Sequence, residues 1–215
     1  MKPTENEENR IRTLLLFRHA PVDFPDGKKR CLGRGTDLPA SPAGLAEASA
    51  LAPALAALGV RRVFTSPMLR CRQTAAALAG KESLPVEVVP GLVEMDCGDW
   101  EGLTFDEIRA RWPAHYTRRG ADPGLPPPNG EAPAAAARRG IAALREALSR
   151  SEGDPVVAAV SHSGLNRAML CALAGRPMAE MGALAQPYLC VNVLHFDGET
   201  LTVETIGSSL KEERP

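Results

Sequence analysis

Two uninterrupted apolar runs, each leading into a histidine, constrain this chain more than any other feature. Leu14-Leu15-Leu16-Phe17 runs into Arg18-His19, and Val156-Val157-Ala158-Ala159-Val160 runs into Ser161-His162-Ser163-Gly164. A strand that is apolar at every position must be covered on both faces, as parallel strands between helical layers are. The residues that follow such a run emerge at the strand's carboxyl end, where open α/β sheets place their ligands. Both histidines are therefore expected on one rim. The chain has only four, at positions 19, 115, 162 and 195, so this pairing points to an active site.

The rest of the pattern alternates strands and helices. Strands are predicted at Thr13–Phe17, Arg62–Thr65, Val86–Val89, Val156–Val160, Val191–Phe196 and Leu201–Ile206. Asp197-Gly198 between the last two is a hairpin signal, which makes that pair antiparallel. Ser41-Pro42 supplies an N-cap hydroxyl and a first-turn proline for a helix to Leu58, closed by Gly59. Further helices are expected at Met68–Leu78, Thr104–Arg111, Ala132–Leu148 and Leu165–Leu173, with Thr104 and Glu107 at capping-box spacing. The stretch Gly120–Pro133 holds five prolines and three glycines and reads as a loop, either at the mouth of the site or as a connector. The fold class that follows is a three-layer α/β/α sandwich whose central sheet is mostly parallel with an antiparallel strand. Its domain spans 13–207, with solvated tails at 1–12 and 208–215.

Composition narrows the function. The 215 residues carry 25 Lys plus Arg against 26 Asp plus Glu, so no global field attracts nucleic acid or an anionic membrane. Five cysteines (31, 71, 97, 171, 190) form no CxxC pair or zinc spacing and fit a reducing, cytoplasmic compartment. No apolar stretch approaches the ~20 residues a membrane helix needs. The expected partner is a small molecule, with a homodimer left open.

Four segments could carry chemistry. His19 follows Arg18, whose charge disfavours the imidazolium and keeps the ring able to attack; a strand-capping histidine bound to a backbone carbonyl is the plainer alternative. Ser66-Pro67-Met68-Leu69-Arg70 follows a strand and opens a helix, where free N–H groups and the Arg70 fork suit a phosphate; Arg72 lies about 200° further round the helix and cannot share that face. Glu94 could hand a proton to a leaving oxygen. It stands in a run with Asp96, Asp99 and Glu101, so a divalent-metal site competes, although no calcium-loop spacing supports it. His162 precedes a helix whose amino terminus favours an anion, and as an imidazolium it would donate to a phosphoryl oxygen. His115 and His195 read as structural.

Together, Arg18-His19-Ala20, Ser66 to Ala75, Glu94 to Gly102 and Ser161-His162-Ser163-Gly164 resemble, in order across about residues 13 to 175, the histidine phosphatase or phosphoglycerate mutase-like superfamily. The resemblance implies that His19 becomes a phosphohistidine, that Arg18, Arg70 and His162 hold the phosphoryl oxygens, and that Glu94 protonates the leaving oxygen and then activates water. It implies no metal and no cofactor, because fixed donors supply the countercharge. The phosphatase branch is favoured by Asp99-Trp100-Glu101-Gly102-Leu103-Thr104 and Asn129-Gly130-Glu131, and Gly33 to Pro39 resembles the substrate loop of α-ribazole phosphatases. Three departures stand out: Ala20 replaces a usual glycine, Pro25 replaces a frequent asparagine, and the Gly33–Pro39 loop is one residue longer. The function expected is hydrolysis of a small phosphate monoester, with α-ribazole 5′-phosphate as the named candidate. A mutase and a phosphohistidine protein phosphatase are the alternatives; Glu94 counts against the latter, since a phosphorylated imidazole leaves without an acid.

Overall fold

The computed structural model describes residues 11–80, 83–151 and 153–210. Six strands form one sheet: β1 (Arg12–Arg18), β2 (Val63–Thr65), β3 (Val86–Val88), β4 (Val156–Ser161), β5 (Val191–Phe196) and β6 (Leu201–Ser208). Their spatial order is β3-β2-β4-β1-β5-β6. The β1–β4, β2–β3 and β2–β4 pairs are parallel, while β5 runs antiparallel to both β1 and β6, so β5 alone opposes the rest. The expected three-layer α/β/α sandwich, its sheet mostly parallel with one antiparallel strand, is thus the fold observed. Arg12 and Ser208 belong to strands, one residue inside each tail drawn from the sequence; residues 1–10 and 211–215 lie outside the described residues.

The all-apolar runs bury both faces. Leu14, Leu16, Val157 and Ala159 enter one core cluster, and Leu15, Phe17, Ala158 and Val160 enter the other. Helices α5 (Pro133–Ser149) and α6 (Ser163–Leu173) cover the first face; α1 (Pro42–Ala57) and α2 (Leu69–Ala79) cover the second. Each large side chain buried this way contributes about 1.5–3 kcal/mol, which anchors the two histidine-bearing strands firmly in the sheet.

Local signals were followed closely. Ser41 Oγ accepts from Gly44 N at 3.0 Å, and Thr104 with Glu107 forms a reciprocal capping box at α3 (Phe105–Arg111). Asp197 accepts from Glu199 N and Thr200 N in the β5–β6 hairpin. The proline-rich stretch departs from expectation at its ends. Gly120 and Ala121 finish a further helix, α4 (Pro113–Ala121), and Pro133 starts α5 as its first residue. Pro113 and Pro133 open these helices where a missing N–H costs nothing. Helix α6 also starts earlier than expected, at Ser163, which makes His162 its N-cap.

Candidate active site

The parallel register of β1 and β4 pairs Arg18 with Ser161, so the next residues, His19 and His162, emerge side by side. His19 N donates to Ser161 O at 3.0 Å, and the two imidazoles stand 5.3 Å apart, tilted by 62°. His19 Nδ1 is 2.7 Å from Ala20 O. A carbonyl only accepts, so Nδ1 carries the proton and Nε2 keeps a free lone pair. The carbonyl-bound alternative and the nucleophile reading are therefore the same geometry. Burial holds His19 down to about pKa 3, assisted by Arg70 and then by Arg18, against the Ala20 hydrogen bond. The sequence reading credited Arg18 with this effect; burial is the larger cause, because a dry imidazolium loses its hydration.

Arg70, at the second position of α2, is 1% exposed and arrives through the turn Ser66-Pro67-Met68 after β2. Its Nε donates to His162 Nδ1 at 3.3 Å, its Nη1 to Thr36 O at 2.9 Å and its Nη2 to Gly33 O at 3.2 Å. A guanidinium has five N–H donors; three are used here, and the Asp37 carboxylate stands 3.9 Å from Nη1, so a bound anion would share the remaining two with it. Arg72 is exposed, as the helical angle required. With Nδ1 accepting, His162 must be protonated at Nε2, which lies 2.8 Å from Ser66 Oγ. Burial and Arg70 push its pKa well below the ordinary value. The expected imidazolium is corrected to a neutral ring, which donates through one N–H.

Glu94 is 7% exposed, and burial raises its pKa above the usual carboxylate value against hydrogen bonds from the backbone. Its carboxyl accepts from Gly164 N at 3.0 Å, Leu165 N at 2.8 Å and Met95 N at 2.9 Å. The N–H groups at the start of α6, expected to face an anion, are thus taken by Glu94. The fit depends on Gly164, where a Cβ would come within 2.9 Å of Glu94 Oε1 and 2.7 Å of Met95 Cε. Arg18 completes the set: Nη1 donates to Gln186 O at 2.6 Å, while its buried Nε has no hydrogen-bond partner among the described residues. A buried donor left without an acceptor inside the protein is what a bound oxygen would satisfy.

The other carboxylates of the acidic run each have a separate task. Asp96 pairs with Arg34 at 2.7 Å, Asp99 accepts from Asn129 Nδ2 at 3.1 Å, and Glu101 accepts from Gly33 N at 2.9 Å. Among the described residues no group of three or more His, Cys, Asp and Glu side chains could hold a metal ion. The substrate-like loop is fastened by these same contacts. A Cβ at Gly33 would lie 2.4 Å from Glu101 Oε2 and 2.5 Å from Met95 O, so the close approach requires glycine there. Ala20 is accommodated: it is fully buried and absent from the residues with positive φ, and its N donates to Thr74 Oγ1 at 3.0 Å. His115 lies 3.1 Å from Pro126 O and His195 2.6 Å from Glu204 Oε2, neither in the cluster.

All five predicted residues converge. Sequence reasoning missed Ser66, which lay inside a quoted motif, and Tyr188, whose ring sits 3.6 Å from the Arg18 guanidinium carbon and 5.6 Å from the His19 ring. No motif flags Tyr188; only its place just before an apolar strand could have suggested a rim position.

Comparison with known proteins shows the family. The family profile described as "Histidine phosphatase superfamily (branch 1)" matches residues 14–209. A glucosyl-3-phosphoglycerate phosphatase of Mycolicibacterium vanbaalenii is 30% identical over 79% of this chain and 77% of its own length. A 2,3-bisphosphoglycerate-dependent phosphoglycerate mutase of a Methylobacterium species is 34% identical over 76% and 81%. Among solved structures, Bacillus stearothermophilus YhfR superposes with a TM-score of 0.83 at 28% identity, covering 92% of this chain and 97% of that one.

Proposed function

The chain belongs to the histidine phosphatase superfamily, branch 1, and from that premise we propose that it hydrolyses small phosphate monoesters in two steps through His19. The observation that carries the reading is the buried His19 ring, neutral and fixed with its Nε2 lone pair free, 5.3 Å from His162.

In the first step Nε2 of His19 attacks phosphorus in line with the departing alkoxide. Arg18 Nε and the Arg70 donors not held by the protein meet the oxygens on which charge accumulates, the His162 N–H exchanges Ser66 Oγ for one of them as substrate enters, and all act strongly because the site is dry. Glu94, whose pKa burial raises above the usual carboxylate value, delivers its proton to the leaving oxygen. In the second step the same carboxylate takes a proton from water, which attacks phosphohistidine and releases phosphate. The guanidinium groups supply the countercharge, so p-nitrophenyl phosphate hydrolysis is expected to persist in EDTA. Strict dependence on an added divalent cation would overturn the scheme, as would failure to trap an acid-labile, base-stable phosphoryl label on the wild-type chain.

A mutase reading has one observation in its favour, the 34% identical relative named as a phosphoglycerate mutase. Supplying labelled 2,3-bisphosphoglycerate with 3-phosphoglycerate separates the two: label passing between glycerates supports the mutase, and label leaving as inorganic phosphate supports the hydrolase. For the natural substrate, α-ribazole 5′-phosphate and glucosyl-3-phosphoglycerate head a panel of metabolites to be ranked by kcat/KM. Among the described residues no helix is long and apolar enough to cross a membrane.

A further inference from the structure

Tyr188 touches two of the five site residues although no function has been given to it. The Arg18 guanidinium carbon lies 3.6 Å from the centre of its ring, a stacking distance, and the His19 ring lies 5.6 Å away at 60°. Arginine has a long side chain with much rotamer freedom, and a planar fork is useful to an anion only when its orientation is fixed. Here one short segment does the fixing: Gln186 O takes Nη1 at 2.6 Å, and Tyr188 covers a face of the fork.

The backbone around Tyr188 is shaped for this contact. Leu189 takes a φ of +59°, a region that a branched side chain enters only where its surroundings hold it. It is held. Leu189 is buried in the α1-side core, and the next residue, Cys190, accepts from Arg18 N at 3.1 Å before β5 pairs with β1. Below the turn, Gln186 is locked by Asn192 Oδ1 at 2.6 Å and Asn166 Nδ2 at 3.3 Å. A strained turn on a buried amide network is a costly way to present a tyrosine, unless the place of the ring matters.

We propose that Tyr188 is a positioning residue: its ring face orients Arg18 so that the buried, unpartnered Nε points at the phosphoryl group. The inference rests on Arg18 being a phosphate ligand, as proposed above. Because the contact is a half-buried cation–π stack, its removal is expected to lower kcat/KM for p-nitrophenyl phosphate several-fold, up to about tenfold, with kcat falling more than KM rises, and to weaken inhibition by orthovanadate.

The test is a double-mutant cycle. Tyr188→Phe keeps the ring face and should stay within about twofold of wild type; Tyr188→Leu and Tyr188→Ala should both show the loss, Leu preserving apolar bulk should Ala fail to fold. In an Arg18→Ala background Tyr188→Leu should change kcat/KM by less than about twofold, the non-additivity of groups acting as a unit. An undiminished loss in that background, or a Phe variant as damaged as Leu, overturns the inference while leaving the Arg18 reading intact. Should Arg18→Ala itself keep full activity, both fall.

Discussion

The phosphoryl pocket and the rim above it are held together by different physics. In the pocket, His19, Arg70, Glu94 and His162 are all less than a tenth exposed, stand at the ends of strands and starts of helices, and hydrogen-bond mainly to one another or to backbone. The rim, from residue 22 to 40 and from 97 to 132, is fixed by solvent-facing pairs such as Arg34–Asp96, with both partners about a third or more exposed. A buried charge that loses its partner costs several kcal/mol, whereas an exposed pair is worth about 0–1 kcal/mol. Substitution should thus be punished throughout the pocket, and tolerated on the rim except at close approaches such as Gly33.

The largest effect should follow His19→Ala, which removes the attacking atom and should lower kcat on every ester by more than about 10³-fold. Activity on a par with the other pocket variants would erase its distinction as nucleophile. Arg70→Ala comes next, about 10²–10³ in kcat for loss of a preorganised donor, together with a lower melting temperature because Gly33 O and Thr36 O lose their donor. Glu94→Gln should cost ~10² or more on alkyl phosphates and much less on p-nitrophenyl phosphate, whose leaving group needs no proton; equal losses would remove the acid role. Its raised pKa also places a basic limb: turnover of alkyl esters should fall as pH rises through a value above the usual carboxylate range.

Stability titrates in the opposite direction. The two buried histidines have folded-state pKa values below the unfolded one, so stability is fully present above about pH 6.5 and declines as the unfolded chain takes up protons the native state refuses, for His19 down to about 3. His19→Asn should flatten that decline in a denaturant titration against pH. The smallest effect belongs to the rim: Arg34→Ala should leave kcat for p-nitrophenyl phosphate within about threefold and stability within about 1 kcal/mol, while shifting relative kcat/KM across a metabolite panel. A collapse of kcat in that variant would dissolve the boundary between the regions.

The same boundary explains what could be read beforehand. The two plain apolar runs left by burial on both faces placed His19 and His162 on one rim, while the adjacency of their strands came only with the fold; Arg70 and Glu94 followed from their motifs. The protonation state of His162 was not legible, since it depends on Arg70 approaching from another element. Nor was the seating of Glu94 on the α6 N–H groups, which needs the tertiary approach of Met95 to Gly164. Helix α4 was hidden by the prolines and glycines around it, and Tyr188 by lying outside any repeating pattern.

The hydrogen bond from the His19 ring to Ala20 O has a regiochemical consequence. An imidazole can be phosphorylated at either nitrogen, giving pros or tele isomers that phosphorus and proton NMR tell apart. With the pros nitrogen occupied by the main chain one residue onward, the covalent adduct of this chain should be the tele isomer alone, selected by a backbone carbonyl that no side-chain substitution can remove.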